Sequence, residues 1–181
     1  MLEAQQNSAN NIILIGLPGA GKSTLGVVLA KILNYSFVDG DILIQERMGK
    51  TLQNLIDQLG ASGFLEVENQ VLSSIQCTRS IIATGGSAVY SAEAMEHLQS
   101  IGIVVHLKVA EEELVNRLGD LDERGVVLRN GRVAQLHDLY EERMPLYRKY
   151  AQITVDVTSK QVREAAKELE AALIERGAVA N

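Results

Sequence analysis

The sequence has few of the features that mark secreted, membrane or nucleic-acid-binding proteins. Its 181 residues include one cysteine, Cys77, which excludes an internal disulfide framework and a cysteine-rich metal site. It has no run of about 18 apolar residues that could span a bilayer, and residues 1–8 lack the basic and apolar parts of a signal peptide. The net charge of −6 provides no overall positive field for nucleic acid or an anionic membrane surface. We therefore expect a soluble, cytoplasmic protein that binds neither.

The composition is typical of one globular domain. Hydrophobic residues make up 46% of the chain, which is enough for a sizeable core at this length. No internal repeat, low-complexity tract or interdomain linker divides the sequence. We expect residues 1–10 to be disordered and residues 11–181 to form a single domain.

Five apolar, β-rich runs alternate with helical patterns along the chain. The predicted strands cover residues 12–15, 35–38, 80–84, 103–107 and 153–157, and the predicted helices cover residues 23–33, 42–48, 52–59, 64–75, 92–99, 111–118, 136–150 and 162–176. Gly60 and Gly63 separate the third helix from the fourth, and Pro145 should kink or divide the seventh. This alternation predicts an α/β fold with a five-stranded parallel sheet and helices on both faces. The polar segment 119–133 is predicted to be a mobile lid.

A phosphate-binding loop joins the first predicted strand to the first predicted helix. Residues 16–23, Gly-Leu-Pro-Gly-Ala-Gly-Lys-Ser, match the pattern G-x-x-x-x-G-K-[ST] in that context. The glycines let backbone N–H groups turn inward around a polyphosphate, and the helix N-terminus adds the positive end of its dipole. Lys22 supplies charge for the β- and γ-phosphates, and the Ser23 hydroxyl can reach Mg²⁺. The motif predicts nucleotide binding by Gly16, Gly19, Ala20, Gly21, Lys22, Ser23 and Thr24.

Polar and glycine residues follow the second and third predicted strands. Asp39 and Asp41 lie where open α/β sheets present side chains to the crevice at the carboxyl ends of their strands. One carboxylate could support the metal while the other accepts the proton of the attacking hydroxyl, as phosphoryl transfer requires. Asp-Gly-Asp is also ordinary turn and N-cap chemistry, but the P-loop favours catalysis. Gly85 and Gly86, followed by Ser87, either approach the acceptor or form a plain strand-to-helix turn.

Three arginines are candidates for stabilising the charge that phosphoryl transfer spreads over the transferred group. Arg117 lies on a predicted helix before the lid, Arg124 lies within the lid, and Arg143 lies just before Pro145. For each arginine the alternative is a solvated surface charge. The three histidines lack metal-ligand spacing and are assigned no role: His97, His106 and His137.

In this order, the motifs resemble those of the shikimate kinase family, over nearly the whole chain from about Asn11 to the final helix. The resemblance is carried by the P-loop, Phe37-Val38-Asp39-Gly40-Asp41, Thr84-Gly85-Gly86, Arg124 and Arg143-Met144-Pro145-Leu146-Tyr147. It implies a P-loop kinase fold of the nucleoside monophosphate kinase type, with an acceptor-binding region at about residues 40–70. It also implies ATP, Mg²⁺ and phosphorylation of shikimate to shikimate 3-phosphate. We expect a monomer.

The resemblance also implies roles for individual residues. Asp41 would bind the acceptor hydroxyl and act as the base, and Asp39 would support the metal. Arg117 would stack on adenine, Arg124 would close over the phosphates, and Arg143 would grip the carboxylate of the acceptor.

The sequence departs from the family pattern at three positions. Leu65 occupies the position of an arginine that Glu68 would steady, Ser87 replaces the third glycine of the turn, and Gly125 follows Arg124 where a proline is usual. Losing one charge-assisted contact costs about 1.5–3 kcal/mol, or roughly ten- to a hundredfold in affinity. The departures therefore predict weak shikimate binding or a different acceptor.

Three alternatives remain open from the sequence. Leu65 favours a kinase for another small polyol or hydroxy acid. A nucleoside monophosphate kinase is less favoured, because its acceptor phosphate calls for several arginines where only Arg47 is present. A non-catalytic nucleotide-binding regulator is disfavoured by the complete set of P-loop and aspartate residues.

Overall fold

The computed structural model describes residues 10–118 and 136–179. Except for Asn10, the terminus predicted to be disordered lies outside the described residues. The predicted lid, with Arg124, also lies outside them.

Five strands form one sheet whose paired strands are all parallel, as predicted. They are β1 (Asn11–Ile15), β2 (Ser36–Asp39), β3 (Ser80–Ala83), β4 (Gly102–Lys108) and β5 (Ile153–Asp156), in the spatial order β2-β3-β1-β4-β5. Every residue of β1 and β3 is buried, which is the pattern of strands covered on both faces. The central position of β1 places the loop that follows it between β3 and β4, near the middle of the carboxyl edge.

Seven α-helices lie within the described parts of the chain. They are α1 (Lys22–Leu33), α2 (Gly40–Met48), α3 (Leu52–Ser73), α4 (Ala92–Ile101), α5 (Glu111–Leu118), α6 (Leu136–Tyr150) and α7 (Val162–Glu175), with a 3-10 turn at Ala88–Tyr90. The main core packs buried side chains of these helices against the sheet. A second cluster, Ile44, Leu55, Phe64 and Val71, joins α2 to α3 beside the carboxyl edge.

The two predicted helix breaks have different outcomes. The break predicted between residues 52–59 and 64–75 is present at Gly60, whose φ of 68° and ψ of 179° are not helical, so α3 consists of two helices joined at a kink; Gly63 itself is helical. Helix α6 is not divided at Pro145. Packing outweighs the hydrogen bond that proline removes, since Arg143, Met144 and Tyr147 are all buried.

No helix in residues 10–118 or 136–179 combines the length and the apolar composition needed to cross a membrane.

Candidate active site

A cavity of about 650 Å³ opens at the carboxyl ends of β1, β2 and β3. This is the crevice in which open α/β sheets bind their ligands. The cavity brings together most of the site residues predicted from sequence: Gly19, Gly21, Lys22, Ser23, Thr24, Asp41, Gly85, Gly86, Arg117 and Arg143. Arg124 lies outside the described residues.

The P-loop is held in shape by its glycines and its lysine. Gly19 and Gly21 have φ values of 79° and 89°, a left-handed conformation that other residues seldom adopt. A side chain on Gly16 would meet the Leu107 carbonyl oxygen at 2.7 Å. The Lys22 Nζ donates hydrogen bonds of 2.7 Å to the Gly16 carbonyl and 3.0 Å to the Leu17 carbonyl. These contacts hold the loop in a shape that can surround a phosphate.

Lys22 is buried at the base of this loop. Burial lowers the pKa of its ammonium group to about 8, and the Asp41 carboxylate partly opposes that shift. An anionic phosphate would favour the charged form of the lysine. Ala20, also predicted to bind nucleotide, is buried within the same loop.

Asp39 uses its two carboxylate oxygens for different purposes. Oδ2 accepts a hydrogen bond of 2.7 Å from the Ser23 hydroxyl. Oδ1 accepts from the backbone N–H groups of Asp41 and Ile42 at 3.0 and 3.2 Å, which caps α2. Asp39 therefore caps α2, as the turn chemistry of Asp-Gly-Asp predicts, and also lies beside the P-loop, as the catalytic interpretation requires. One carboxylate beside one hydroxyl fits Mg²⁺, which binds through few protein ligands and keeps water and phosphate oxygens.

Asp41 lies in the first turn of α2 and faces the cavity. Burial raises the pKa of its carboxyl group, while Lys22 opposes the shift. A carboxylate with a raised pKa is a better proton acceptor than an exposed one. Its Oδ1 lies 3.0 Å from the position that a Cβ on Gly85 would take, so the missing side chain of Gly85 makes room for it.

Arg143 is buried, with 2% of its surface exposed, yet it contributes to the cavity wall. The solvated alternative for this arginine is therefore wrong. Its Nε donates to the Tyr90 hydroxyl at 3.0 Å, and its guanidinium carbon lies 4.9 Å from the centre of the Tyr90 ring. A side chain on Gly86 would come within 2.8 Å of Arg143 Nη1, so this glycine lets the guanidinium approach the turn. A guanidinium fixed at a cavity wall suits a carboxylate or phosphate.

Arg117 lies beside the P-loop and is half-buried. Its Nη1 donates to the Gly19 carbonyl at 3.2 Å, and its Nη2 is paired with Glu113 one turn earlier on α5. Glu113 in turn accepts from the Ser159 backbone N–H. Arg117 is thus fixed at the phosphate side of the cavity, with 30% of its side chain exposed.

Sequence reasoning missed a hydrogen bond between the glycine turn and a buried carboxyl group. The Ser87 hydroxyl donates a hydrogen bond of 2.6 Å to Glu68 Oε2. Glu68 is 2% exposed, and burial raises the pKa of its carboxyl group to about 7. Ser87 was recognised only as a departure from the family pattern and Glu68 only as the partner of the missing arginine. Their contact spans 19 positions of sequence, and no local pattern predicts it.

Tyr147 and His106 support the other side of the turn. The Tyr147 hydroxyl donates to the Gly86 carbonyl at 2.8 Å, and its ring stacks on His106 with a centroid distance of 4.9 Å. Burial lowers the pKa of His106 to about 4, so this histidine is a neutral, packed residue. Tyr147 was recognised in the sequence only as part of a motif.

Part of the cavity wall is apolar. Leu65 faces the cavity together with Leu52, Ile56 and Phe64. The position that the family pattern assigns to an arginine therefore lines the cavity with a hydrocarbon side chain.

Comparisons with known proteins agree with this geometry. The shikimate kinase family model matches residues 18–174. A shikimate kinase from Thiobacillus denitrificans is 36% identical over 154 residues, which is 84% of each chain, and one from Francisella tularensis subsp. holarctica is 34% identical over 91% of this chain and 95% of the relative. Among solved structures, shikimate kinase from Acinetobacter baumannii in complex with shikimate superposes with a TM-score of 0.82 and 32% identity, over 92% of this chain and 93% of that one.

Proposed function

The chain belongs to the shikimate kinase family, and we propose that it transfers the terminal phosphoryl group of ATP to a hydroxyl of shikimate, giving shikimate 3-phosphate. One observation carries this proposal. A single cavity contains the P-loop lysine Lys22, the carboxylate of Asp41 and the buried guanidinium of Arg143. These are the groups needed to hold a polyphosphate, accept a proton and bind a carboxylate.

The P-loop side of the cavity binds ATP. Backbone N–H groups of residues 19–24 surround the phosphates, and Lys22 exchanges its bonds to the loop carbonyls for the β- and γ-phosphates. Ser23 and Asp39 would hold Mg²⁺, because their oxygens already lie 2.7 Å apart. When bound, the ion neutralises charge on the phosphates and orients them. Arg117 lies close enough to the loop to contact the nucleotide, and Arg124 would close over the phosphates.

The acceptor side of the cavity orients the attacking hydroxyl. Asp41 binds this hydroxyl and takes its proton as the oxygen attacks phosphorus. Arg143 binds the acceptor carboxylate, and the backbone of Gly85 and Gly86 lies against the acceptor. These roles are supported by the placement of Asp41 and Arg143 on two sides of the same glycine turn.

The wider organisation follows from the same proposal. Residues 11–181 would form a single kinase domain, with the acceptor-binding region at about 40–70 and the lid at about 119–133. A monomeric state and a cytoplasmic location stay predictions.

A coupled assay of ADP release tests the function directly. We expect ADP production that depends on both shikimate and Mg²⁺, with mass spectrometry of the product showing one added phosphoryl group. The Lys22→Ala variant is the matched control for background hydrolysis. No shikimate-dependent ADP release at millimolar acceptor would contradict the proposal.

The apolar wall favours a second candidate, a kinase for another small polyol or hydroxy acid. Leu65 offers no charge where a second guanidinium would bind a carboxylate. If a missing arginine limits shikimate binding, Leu65→Arg should lower the KM for shikimate. A panel of hydroxy acids and polyols assayed with both forms distinguishes the candidates, because an unchanged shikimate KM together with faster turnover of another acceptor would favour the second.

A further inference from the structure

Two carboxyl groups meet behind Gly85. The place that a Cβ on this glycine would take is occupied by Glu68 Oε1 from α3 and, at 3.0 Å, by Asp41 Oδ1 from α2. Asp41 faces the cavity, whereas Glu68 lies behind the turn and is 2% exposed. Glu68 therefore lies against Gly85, which itself lines the cavity.

Glu68 is incompletely satisfied as an anion. Ser87 donates to its Oε2 at 2.6 Å, but within residues 10–118 and 136–179 its Oε1 has no hydrogen-bond partner. A buried carboxylate with so few donors is unstable in its charged form. Burial accordingly raises the pKa of Glu68 to about 7.

Charged and polar groups on α1, α2, α6 and the glycine turn determine whether the Glu68 carboxyl group is ionised. Lys22 on α1 and Arg143 on α6 favour the anion, as does the hydrogen bond from Ser87 in the turn, whereas Asp41 on α2 disfavours it. The neutral Tyr147 hydroxyl on α6 also lies nearby. Helix α3 itself contains no lysine or arginine, so its own residues offer Glu68 no cation. The cations that stabilise the Glu68 anion are the same ones that line the substrate cavity.

We propose that Glu68 is a positioning residue of the acceptor site, and that it takes up a proton at Oε1 when an anionic acceptor binds against Arg143. The proposal rests on the proposed function of the cavity. An incoming carboxylate neutralises the field of Arg143 and adds its own negative charge nearby, so the Glu68 anion loses stabilisation and gains repulsion. The protonated acid removes that repulsion. Binding of the acceptor and protonation of Glu68 are therefore linked.

The linkage has a definite sign. Below about pH 6 Glu68 is already protonated, so acceptor binding causes little further proton uptake. Near pH 7 Glu68 is partly ionised in the protein without acceptor, and acceptor binding draws a proton from solution onto it. Acceptor affinity should accordingly fall as pH rises through 7.

Calorimetry of shikimate binding to the full chain tests this. Titrations at pH 7 in phosphate and in Tris, whose ionisation enthalpies differ, measure the protons exchanged. We expect an uptake of about half a proton per site in the unaltered protein. Glu68→Gln keeps the shape of the side chain and cannot titrate, so its uptake should fall close to zero. Ser87→Ala removes the donor that favours the anion, so its uptake maximum should move to higher pH.

The outcomes separate this proposal from the function on which it rests. Shikimate binding without proton uptake, or with equal uptake in the unaltered protein and Glu68→Gln, overturns the role of Glu68 and leaves the kinase activity standing. If Glu68→Gln does not fold, an unmoved uptake maximum in Ser87→Ala overturns the proposal instead. Absence of both shikimate binding and shikimate-dependent ADP release overturns the proposed function, and the role of Glu68 with it.

Discussion

The Ser23 hydroxyl donates a hydrogen bond of 2.7 Å to Asp39 Oδ2 and so joins the first turn of α1 to the start of α2. The other oxygen of Asp39 caps α2, the helix that carries Asp41. One carboxylate therefore ties the phosphate side of the cavity to the acceptor side.

Substitutions at Asp39 should separate its two tasks. Asp39→Asn keeps an oxygen for the α2 cap but loses the charge that favours Mg²⁺, so we expect activity to fall at least about tenfold with little change in melting temperature. Asp39→Ala also removes the cap, which costs about 1 kcal/mol of folding stability. Activity against Mg²⁺ concentration and thermal unfolding measure the two effects. Full activity of Asp39→Asn at every Mg²⁺ concentration would exclude a metal role.

Nucleotide affinity should depend on the charge of Lys22. Because burial lowers the pKa of this lysine to about 8, the free protein carries the charge below that pH and loses it above. The Kd for ATP should therefore rise by up to about tenfold per pH unit above about pH 8. Calorimetric titrations between pH 6.5 and 9.5 measure it. Lys22→Ala is the control: it should bind ATP weakly, with a Kd that does not change over this pH range. If the ATP Kd of both proteins rises equally with pH, Lys22 is not the group responsible.

Arg143 should control acceptor binding more than nucleotide binding. Arg143→Lys keeps a positive charge but loses the planar fork and the bond to Tyr90. We expect the acceptor KM to rise roughly ten- to a hundredfold, since a charge-assisted contact contributes about 1.5–3 kcal/mol. Tyr90→Phe, which removes the partner and leaves the guanidinium, should have a smaller effect. Equal increases in the acceptor KM and the ATP Kd would argue against a specific carboxylate contact.

Removal of the Tyr147 hydroxyl should loosen the glycine turn. Tyr147→Phe leaves the half-exposed Gly86 carbonyl without its donor, and the loss of one such hydrogen bond costs about 0.5–1.5 kcal/mol. We expect a lower melting temperature and a higher acceptor KM. Tyr150→Phe changes a buried tyrosine on the same helix whose hydroxyl accepts from Lys149 instead. If both variants behave alike, the turn does not depend on Tyr147.

Much of the fold could be predicted because its signals are local. The strand boundaries differ from the predicted ones by no more than one residue at either end, since apolar runs such as 12–15 are distinct from the helical patterns around them. The break at Gly60 was predicted correctly, but the effects of Gly63 and Pro145 were harder to predict. Gly63 remains helical and Pro145 lies inside α6, because packing of a buried face can outweigh the local preference of one residue.

The site divides in the same way. The P-loop, Asp39 and Asp41 were recognisable because each follows a strand end, and the sheet brings strand ends together. The contacts Ser87–Glu68 and Tyr147–Gly86 could not be recognised from the sequence, because they join residues that are distant in sequence.

The sequence by itself determined the order of strands and helices, the phosphate loop and the carboxylates that follow the second strand, because these depend on residue spacing within a few turns of chain. Only the tertiary structure decided that Arg143 is buried at a cavity wall, that Leu65 lines an apolar face and that the pKa of Glu68 lies near 7. Desolvation and charge act through space, so the chemistry of these side chains depends on neighbours that the fold supplies.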